Sequence, residues 1–372
     1  MKRALRSRLK MLTQHVLLPL VYNLNRRRKI DPDLVVFADA HHTSCPPQME
    51  HLADRMKQEG CRVRGFFFDT EKIGTLSALR RSAAFMKLYA TAGCVVICDN
   101  FLPVAACRKK KDTKVIQLWH GCGAFKKFGY DTEDDIPADY KGNVYKNYDL
   151  VAVSAKACVP YFASAMRQAD GVVDAIGIPC TDRLYSEAYA NSCREAFYSA
   201  HPEAVGKRIV LWAPSFRGNA QTAKTQAEGL LPGEAAVDRL REDAGIFLVK
   251  SYHPHMKKDG AMNTSELLAV ADVLITDYSS VFFEYLLLDR PVIFFVPDLY
   301  EYRDKRGWYL SYEELPGQIV TSENELAGCV KEAILQDACV AERDVFRKRY
   351  MSACDGHATD RVADYIRTAM EN

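Results

Sequence analysis

No run of apolar residues in this chain approaches the roughly 18 that a membrane-spanning helix needs. The longest such run near the start, Val16 to Tyr22, is short and contains Pro19. No small-residue cleavage site follows it, only Arg26-Arg27-Arg28-Lys29, which argues against a secretory signal. The 12 cysteines include no CxxC pair, and several, such as Cys94, Cys98 and Cys158, lie in apolar runs. They read as reduced, mostly buried thiols of a cytosolic protein. No Cys/His set stands at metal-ligand spacing, so zinc is not expected; no cofactor is expected either. A glycine-rich P-loop and a GxGxxG fingerprint are also missing. A net charge of only +2 gives no global basic field for nucleic acid.

What is present is a 372-residue chain, 48% hydrophobic and 26% charged, long enough for two domains of ordinary size. Residues 1–30 stand apart, with nine Lys/Arg and no acidic residue. Leu5, Leu9, Leu12, Val16, Leu20 and Leu24 recur there at helical spacing. A basic amphipathic helix of this kind would lie in the interface of an anionic membrane, and an ordinary helix packed on the next domain fits the same pattern. Pro19 is expected to kink it.

From residue 31 onward, strand-like and helix-like segments alternate. Strands are expected at 34–38, 63–68, 94–98, 115–118, 150–153 and 172–176, with helices at 46–59, 75–91 and 156–168 between them. The pattern restarts after residue 205, with strands at 209–212, 246–250, 273–276 and 292–296. Helices are expected near 182–199, 234–243, 264–271, 279–288 and 323–336, and a mobile polar loop at 217–233. This order implies α/β architecture with parallel sheets. We divide the chain into a membrane-associating segment, 1–30, an N-terminal Rossmann-like domain, 31–180, and a C-terminal Rossmann-like domain, 181–372, facing it across a cleft. The last helix is available to pack back on the N-terminal domain.

Ligands of open α/β sheets bind beyond the carboxyl ends of the strands. There the sequence has Trp119-His120-Gly121, Tyr252-His253-Pro254 and Asp277-Tyr278-Ser279-Ser280. Each histidine suits catalysis or a backbone-bonded turn equally. Ser279 or Ser280 reads as the N-cap of the helix that follows, and a helix start with free N–H groups suits phosphate. Arg217, Lys250 and Arg303 are further cations near strand ends. Arg306 and Gly307 lie in an aromatic, basic loop that could line a cleft. A basic cluster, Arg108 to Lys111 with Lys114, lies in the N-terminal domain.

Several segments together resemble the CDP-glycerol glycerophosphotransferase family, which includes teichoic acid primases and polymerases. They are QLWHGCGAFKKFGYD at 117–131, GIPCTDRLY at 177–185, VLWAPSFRGN at 210–219, KSYHPHMK at 250–257 and the long block at 274–320. The resemblance covers roughly 34 to 355. It implies a GT-B-like architecture without catalytic metal, and transfer of glycerol phosphate or another polyol phosphate from a CDP-polyol, with release of CMP. It implies a polyisoprenoid-linked glycan acceptor or a growing polymer, and peripheral attachment at the cytoplasmic face of the cell membrane. His120 and His253 correspond to the paired active-site histidines, His120 being our choice of base, and Ser279 and Ser280 to contacts with the donor diphosphate. Arg217, Lys250 and Arg303 are added as phosphate contacts, and Trp119, Gly121, Asp277, Glu284, Arg306 and Gly307 as cleft residues. The chain departs from the family at Cys122-Gly123 (usually Thr-Pro), at Cys180 (usually Arg) and at Glu284 (commonly Asp). The alternative is a GT-B glycosyltransferase using a nucleotide sugar.

Overall fold

Most of the expected strand segments are runs of Val, Ile, Leu and Phe too apolar to leave either face in water, the composition of central parallel strands; 63–68, with Arg64 and Gly65, and 172–176, with Asp174, are the more polar ones. The structure, a computed structural model, describes residues 11–133, 135–136, 140, 142–215, 231–251, 262–299 and 307–371. All ten strands are present: β1 Asp31–Asp39, β2 Arg62–Phe67, β3 Ala92–Ile97, β4 Lys114–Gln117, β5 Leu150–Ala152, β6 Val173–Asp174, β7 Arg208–Ala213, β8 Ile246–Lys250, β9 Val273–Thr276 and β10 Val292–Phe295. An eleventh, β11 Gln318–Val320, was not anticipated. Only Val320 of it is buried, so it carries almost no hydrophobic signal.

The chain forms two units. The first takes the described residues of Met1–His120, Phe128–Asp182 and Ser352–Asn372; the second takes Gly121–Lys127 and Arg183–Met351. Relative to a division at 180/181, Gly121–Lys127 goes with the second unit, and Ser352–Asn372, with the last helix that the sequence left available to pack back, goes with the first. Nothing in a linear pattern marks Gly121–Lys127, because it joins its unit through contacts remote in sequence.

In the first unit, six strands form a wholly parallel sheet in the order β2-β1-β3-β4-β5-β6. The order reverses between β1 and β3, and that reversal opens a crevice at their carboxyl ends. Helix Ala358–Glu371 packs against helix Pro47–Gln58 and the sheet. Arg361 joins this terminal segment to the sheet by donating to the carbonyl of Ile176, and Arg55 pairs with Asp360. In the second unit, five parallel strands run β11-β10-β9-β7-β8, with the reversal between β7 and β9. Its core joins Val210, Trp212, Val273, Ile275, Ile293 and Phe295 to Leu326 and Val330 of helix Leu326–Leu335.

Helices follow the apolar periodicity, with ends set by local chemistry. The segment expected at 182–199 starts as a helix only at Glu187, where the Ser186 side chain accepts the N–H of Tyr189. Near the start of the chain, a π-turn at Thr13–Leu17 runs into helix Leu18–Asn25, with Pro19 in its first turn. The chain is helical on both sides of that junction, so Pro19 lies inside a helix, and the π-turn, in which Leu18 N–H reaches the carbonyl of Thr13, accompanies the irregularity that proline imposes. Leu18 and Tyr22 are buried, and Tyr22 stacks obliquely on Tyr89 while its hydroxyl accepts from Lys110 N–H. The other face, Leu12, Val16, Leu20 and Leu24, stays more than half exposed.

The turn after β6 shows how closely the terminal segment seats. Gly177 has φ +89°, and a Cβ there would stand 2.1 Å from the carbonyl oxygen of Ala353. Gly171 has φ +81° with nothing within 4 Å. Gly171→Ala should cost only the left-handed strain, about 1–2 kcal/mol. Gly177→Ala should cost about 2–4 kcal/mol, because the backbone of 353 must move as well. Chemical denaturation of the two variants measures the difference; equal costs would mean that the terminal segment is not seated as described.

Candidate active site

Every strand end at the first unit's reversal carries an ionisable residue. β1 ends on Asp39, β3 leads to Asp99, and β4 leads to His120. His120 Nδ1 lies 3.4 Å from Asp99 Oδ2, and half of the imidazole is exposed. Burial works to lower the pKa of His120, but the Asp99 charge and hydrogen bond outweigh it and hold the imidazole above its ordinary value. Burial likewise works to raise the pKa of Asp99, yet the facing His120, His41 and the Asn100 N–H hold it far below the usual carboxylate range. A second nitrogen, Nε2, is left for chemistry, as in any imidazole oriented from Nδ1 by a carboxylate.

The backbone that delivers His120 is strained. Trp119 has φ +60°, which a bulky residue adopts only when its surroundings demand it. Those surroundings are specific. Trp119 N–H donates to Oε1 of the fully buried Gln117 at 2.7 Å, and Gln117 Nε2 donates to the carbonyl of Asp99 and to Tyr148 Oη. The indole stacks on the His120 ring, with centroids 4.3 Å apart, and rests against Phe128 and Phe162. One buried amide therefore ties the strained turn to the backbone of Asp99.

The second unit has its own set of groups at its reversal. Asp277, 3% exposed, follows β9, and its Oδ1 accepts the N–H groups of Ser215 and Tyr278 at 2.6 and 2.5 Å. This carboxylate bonds the end of β7 to the end of β9. Ser279 Oγ accepts from Val281 N–H at 3.4 Å. Ser280 stands at the cap position of helix Val281–Tyr285, but its side chain makes no capping bond. Segment Gly121–Lys127 lies over this helix start. A Cβ at Gly121 would stand 3.2 Å from Ser280 Oγ. Phe125 meets Phe282 and Trp308 edge-on, and Lys127 N–H donates to the carbonyl of Gly307 at 2.9 Å.

Two further residues expected at the site have partners within this unit. Lys250 Nζ lies 2.8 Å from both Glu234 Oε1 and Asp238 Oδ2 and 5.3 Å from the Trp212 ring. These two carboxylates offset its charge in this structure, so a role in holding phosphate would need it to share them. Glu284 lies in helix Val281–Tyr285; burial raises its pKa, partly opposed by Arg183. His253, Arg217, Arg303 and Arg306 lie outside the described residues, as do 217–230 of the expected loop. Among the described residues no group of three or more His, Cys, Asp or Glu could hold a metal ion.

Asp99, Asp39, His41, His42 and Gln117 escaped the sequence reading. Asp39 and Asp99 stand one or two positions past strand-like runs, the same signal that exposed His120, but a lone Asp there reads as a turn residue. Their union with His120 depends on the order β1-β3-β4, which the sequence does not display.

A family model described as CDP-Glycerol:Poly(glycerophosphate) glycerophosphotransferase matches residues 20–368. The chain is 33% identical over 363 residues to a teichoic acid ribitol-phosphate primase of Bacillus spizizenii, covering 91% of each chain. It is 29% identical over 293 residues to a teichoic acid glycerol-phosphate primase of Bacillus subtilis, covering 73% of each. Among solved structures, a variant of the wall teichoic acid polymerase TagF soaked with CDPG superposes with a TM-score of 0.77. That match covers 99% of this chain and 96% of the other at 22% identity, which makes it a likeness of fold.

Gly123 stands where the family usually has proline, and its geometry shows why this chain cannot. Its φ is +67°, outside the range of a proline ring, and a Cβ would lie 2.3 Å from the Phe283 ring. Gly123→Pro should therefore destabilise the protein by about 3 kcal/mol or more. Thermal unfolding measures this, and an unchanged midpoint would contradict the described packing of 121–127.

Proposed function

Because the chain belongs to the CDP-glycerol:poly(glycerophosphate) glycerophosphotransferase family, we propose that it transfers a polyol phosphate from a CDP-polyol to a hydroxyl of a growing teichoic-acid-type chain, releasing CMP. The observation that carries the chemistry is the Asp99–His120 pair at the reversal of a parallel sheet. An alcohol is a poor nucleophile until a base takes its proton, whereas CMP leaves readily. One base therefore suffices.

In this reading, the acceptor hydroxyl gives its proton to His120 Nε2 as its oxygen forms a bond to the polyol-bearing phosphorus of the donor. The bond from that phosphorus to the oxygen bridging to the CMP phosphorus breaks, and the electron pair leaves on CMP. Asp99 is a positioning residue: it presents Nε2 and stabilises the imidazolium that forms. Ser279 and Ser280, with the N–H groups of the helix start, hold the diphosphate, and His253, Arg217 and Arg303 add positive charge to it. Trp119, Gly121, Asp277, Glu284, Arg306 and Gly307 shape the site around them.

The GT-B arrangement is part of the same reading, as is a lipid-linked glycan acceptor. So is attachment to the cytoplasmic face of a membrane. For attachment, the supporting observation is the exposed row Leu12, Val16, Leu20 and Leu24 on a helix whose other face is buried. Arg26-Arg27-Arg28-Lys29 follow it in the sequence. Apolar side chains with adjacent basic ones suit an anionic bilayer surface. Among the described residues no helix is long and apolar enough to cross a membrane. A glycosyltransferase using a nucleotide sugar is not favoured, since the family model and the relatives named above are polyol-phosphate enzymes.

Mass spectrometry of products from CDP-glycerol, CDP-ribitol and UDP-sugars, each with lipid-disaccharide and polyol-phosphate acceptors, tests the reaction. One or both CDP-polyols should be consumed with release of CMP; sugar transfer from a UDP-sugar without use of a CDP-polyol would overturn the proposal. His120→Ala should lower kcat about 10²–10⁴-fold. Activity should fall as pH drops through the pKa of His120, because the base is then already protonated. Asp99 favours the protonated form, so Asp99→Asn should lower that pKa. Its acid limb should move to lower pH while kcat falls at least about 10-fold. An unmoved acid limb would remove Asp99 from the mechanism.

A further inference from the structure

The polypeptide just past β1 holds a second carboxylate–imidazole pair that the scheme above leaves idle. Asp39 is the last residue of β1 and 1% exposed. Its Oδ2 accepts the backbone N–H groups of His41 and His42 at 2.7 and 2.8 Å and lies 2.9 Å from His42 Nδ1. Three contacts from one buried oxygen lock this turn and the His42 ring. With Nδ1 bound to Asp39, the ring nitrogen available to a ligand is Nε2, and 47% of the His42 side chain is exposed.

This pair belongs to the same corner of the fold as the base. β1 and β3 are hydrogen-bonded neighbours on either side of the reversal, and β4 adjoins β3. Asp39 and Asp99 both act electrostatically on His42, and both also act on His120. His41 Nε2 lies 4.0 Å from the same Asp99 oxygen that faces His120. Two imidazoles, each oriented from Nδ1, therefore share one pair of carboxylates. The hydrogen bond to Asp39 is the largest influence on His42; with the charges of Asp39, Asp99 and Asp69 it outweighs partial burial and raises the pKa of the ring above its ordinary value.

We propose that His42 is an acceptor-recognition residue, whose Nε2–H binds the phosphodiester that precedes the reactive hydroxyl of the acceptor. The inference rests on the polyol-phosphate reading of the site. In a polymer built of polyol phosphates, the hydroxyl to be extended is separated from an anionic phosphodiester only by the carbons of one polyol. A site that grips the hydroxyl at His120 then meets that anion a short way off, and His42 is an oriented imidazole at the same end of the same sheet. Charge-assisted donors of this kind bind phosphate oxygens well. Since Asp39 neutralises much of the charge of His42, the gain is that of one directed bond, about ten-fold in affinity rather than a thousand-fold.

The test compares two acceptors at saturating CDP-polyol, one ending in a polyol phosphate and one ending in a sugar with no phosphodiester beside its terminal hydroxyl. His42→Gln should raise KM for the first about ten-fold, leave KM for the second unchanged, and keep kcat and the donor KM within about two-fold. An unchanged KM for the first acceptor would overturn the proposal, as would an equal rise for both or a fall in kcat alone. An independent measurement needs no variant and no turnover. Titration of the wild-type protein with diglyceryl phosphate, followed by NMR of the histidine rings, should shift the His42 resonances at millimolar probe, and no shift would overturn the assignment. If the wild-type protein used no CDP-polyol, the reading of the reaction would fail, and the titration would still decide the role of His42.

Discussion

A parallel strand buried on both faces can offer polar groups to a ligand only beyond its last paired residue. That constraint governs both halves of this protein. The middles of β1, β3, β4, β7 and β9 are apolar and almost wholly buried. Asp39, Asp99, His120, Ser215 and Asp277 stand at or just past the carboxyl ends of those strands. Where strand order reverses, the connecting segments diverge to opposite faces of the sheet and leave the ends uncovered. In the first unit this exposes a set of carboxylates and imidazoles; in the second it exposes backbone N–H groups and serine hydroxyls. The first set suits proton transfer and the second suits binding of anions.

Strain and close packing accompany these strand ends. Trp119 occupies a left-handed conformation that costs of the order of 1–3 kcal/mol, held by Gln117 and a surrounding aromatic cluster. Gln117 bonds at once to the Trp119 backbone and to the carbonyl of Asp99. The two members of the Asp99–His120 pair are thus positioned by one amide as well as by each other. Four residues further on, Gly123 meets a phenylalanine ring with no room for a methyl group. Within nine residues, 117–125, Gln117, Trp119 and Gly123 are thus each tied to a specific contact of the fold.

Legibility from sequence divided along physical lines. The central strands are readable because burial on both faces demands unbroken apolar runs; the edge strands β2 and β6 show only shorter apolar stretches, and β11, three residues with one buried, shows almost none. His120 was readable as a histidine past a strand, and Ser279 and Ser280 as a polar turn before an apolar helix. Asp99 was not, since its importance lies in a neighbour 21 positions away that only the lateral order of strands brings close. Lys250 shows the opposite case: it reads as a cation at a strand end, and its carboxylate neighbours Glu234 and Asp238 come into view only with the fold. The seven-residue segment Gly121–Lys127 is hidden likewise, because it lies with a unit from which a long stretch of chain separates it.

The terminal helix carries a consequence for biosynthesis. The first unit is finished only when Ala358–Glu371 arrives, and about 170 residues of the second unit are made in between. At ribosomal speeds that interval is roughly 10–30 s. During it, the surfaces that will receive Val362, Ala363 and Ile366, all fully buried in the finished fold, are left open in the nascent chain. The half of the protein that emerges first is therefore the last to be completed, and it must stay soluble meanwhile with part of its interior uncovered.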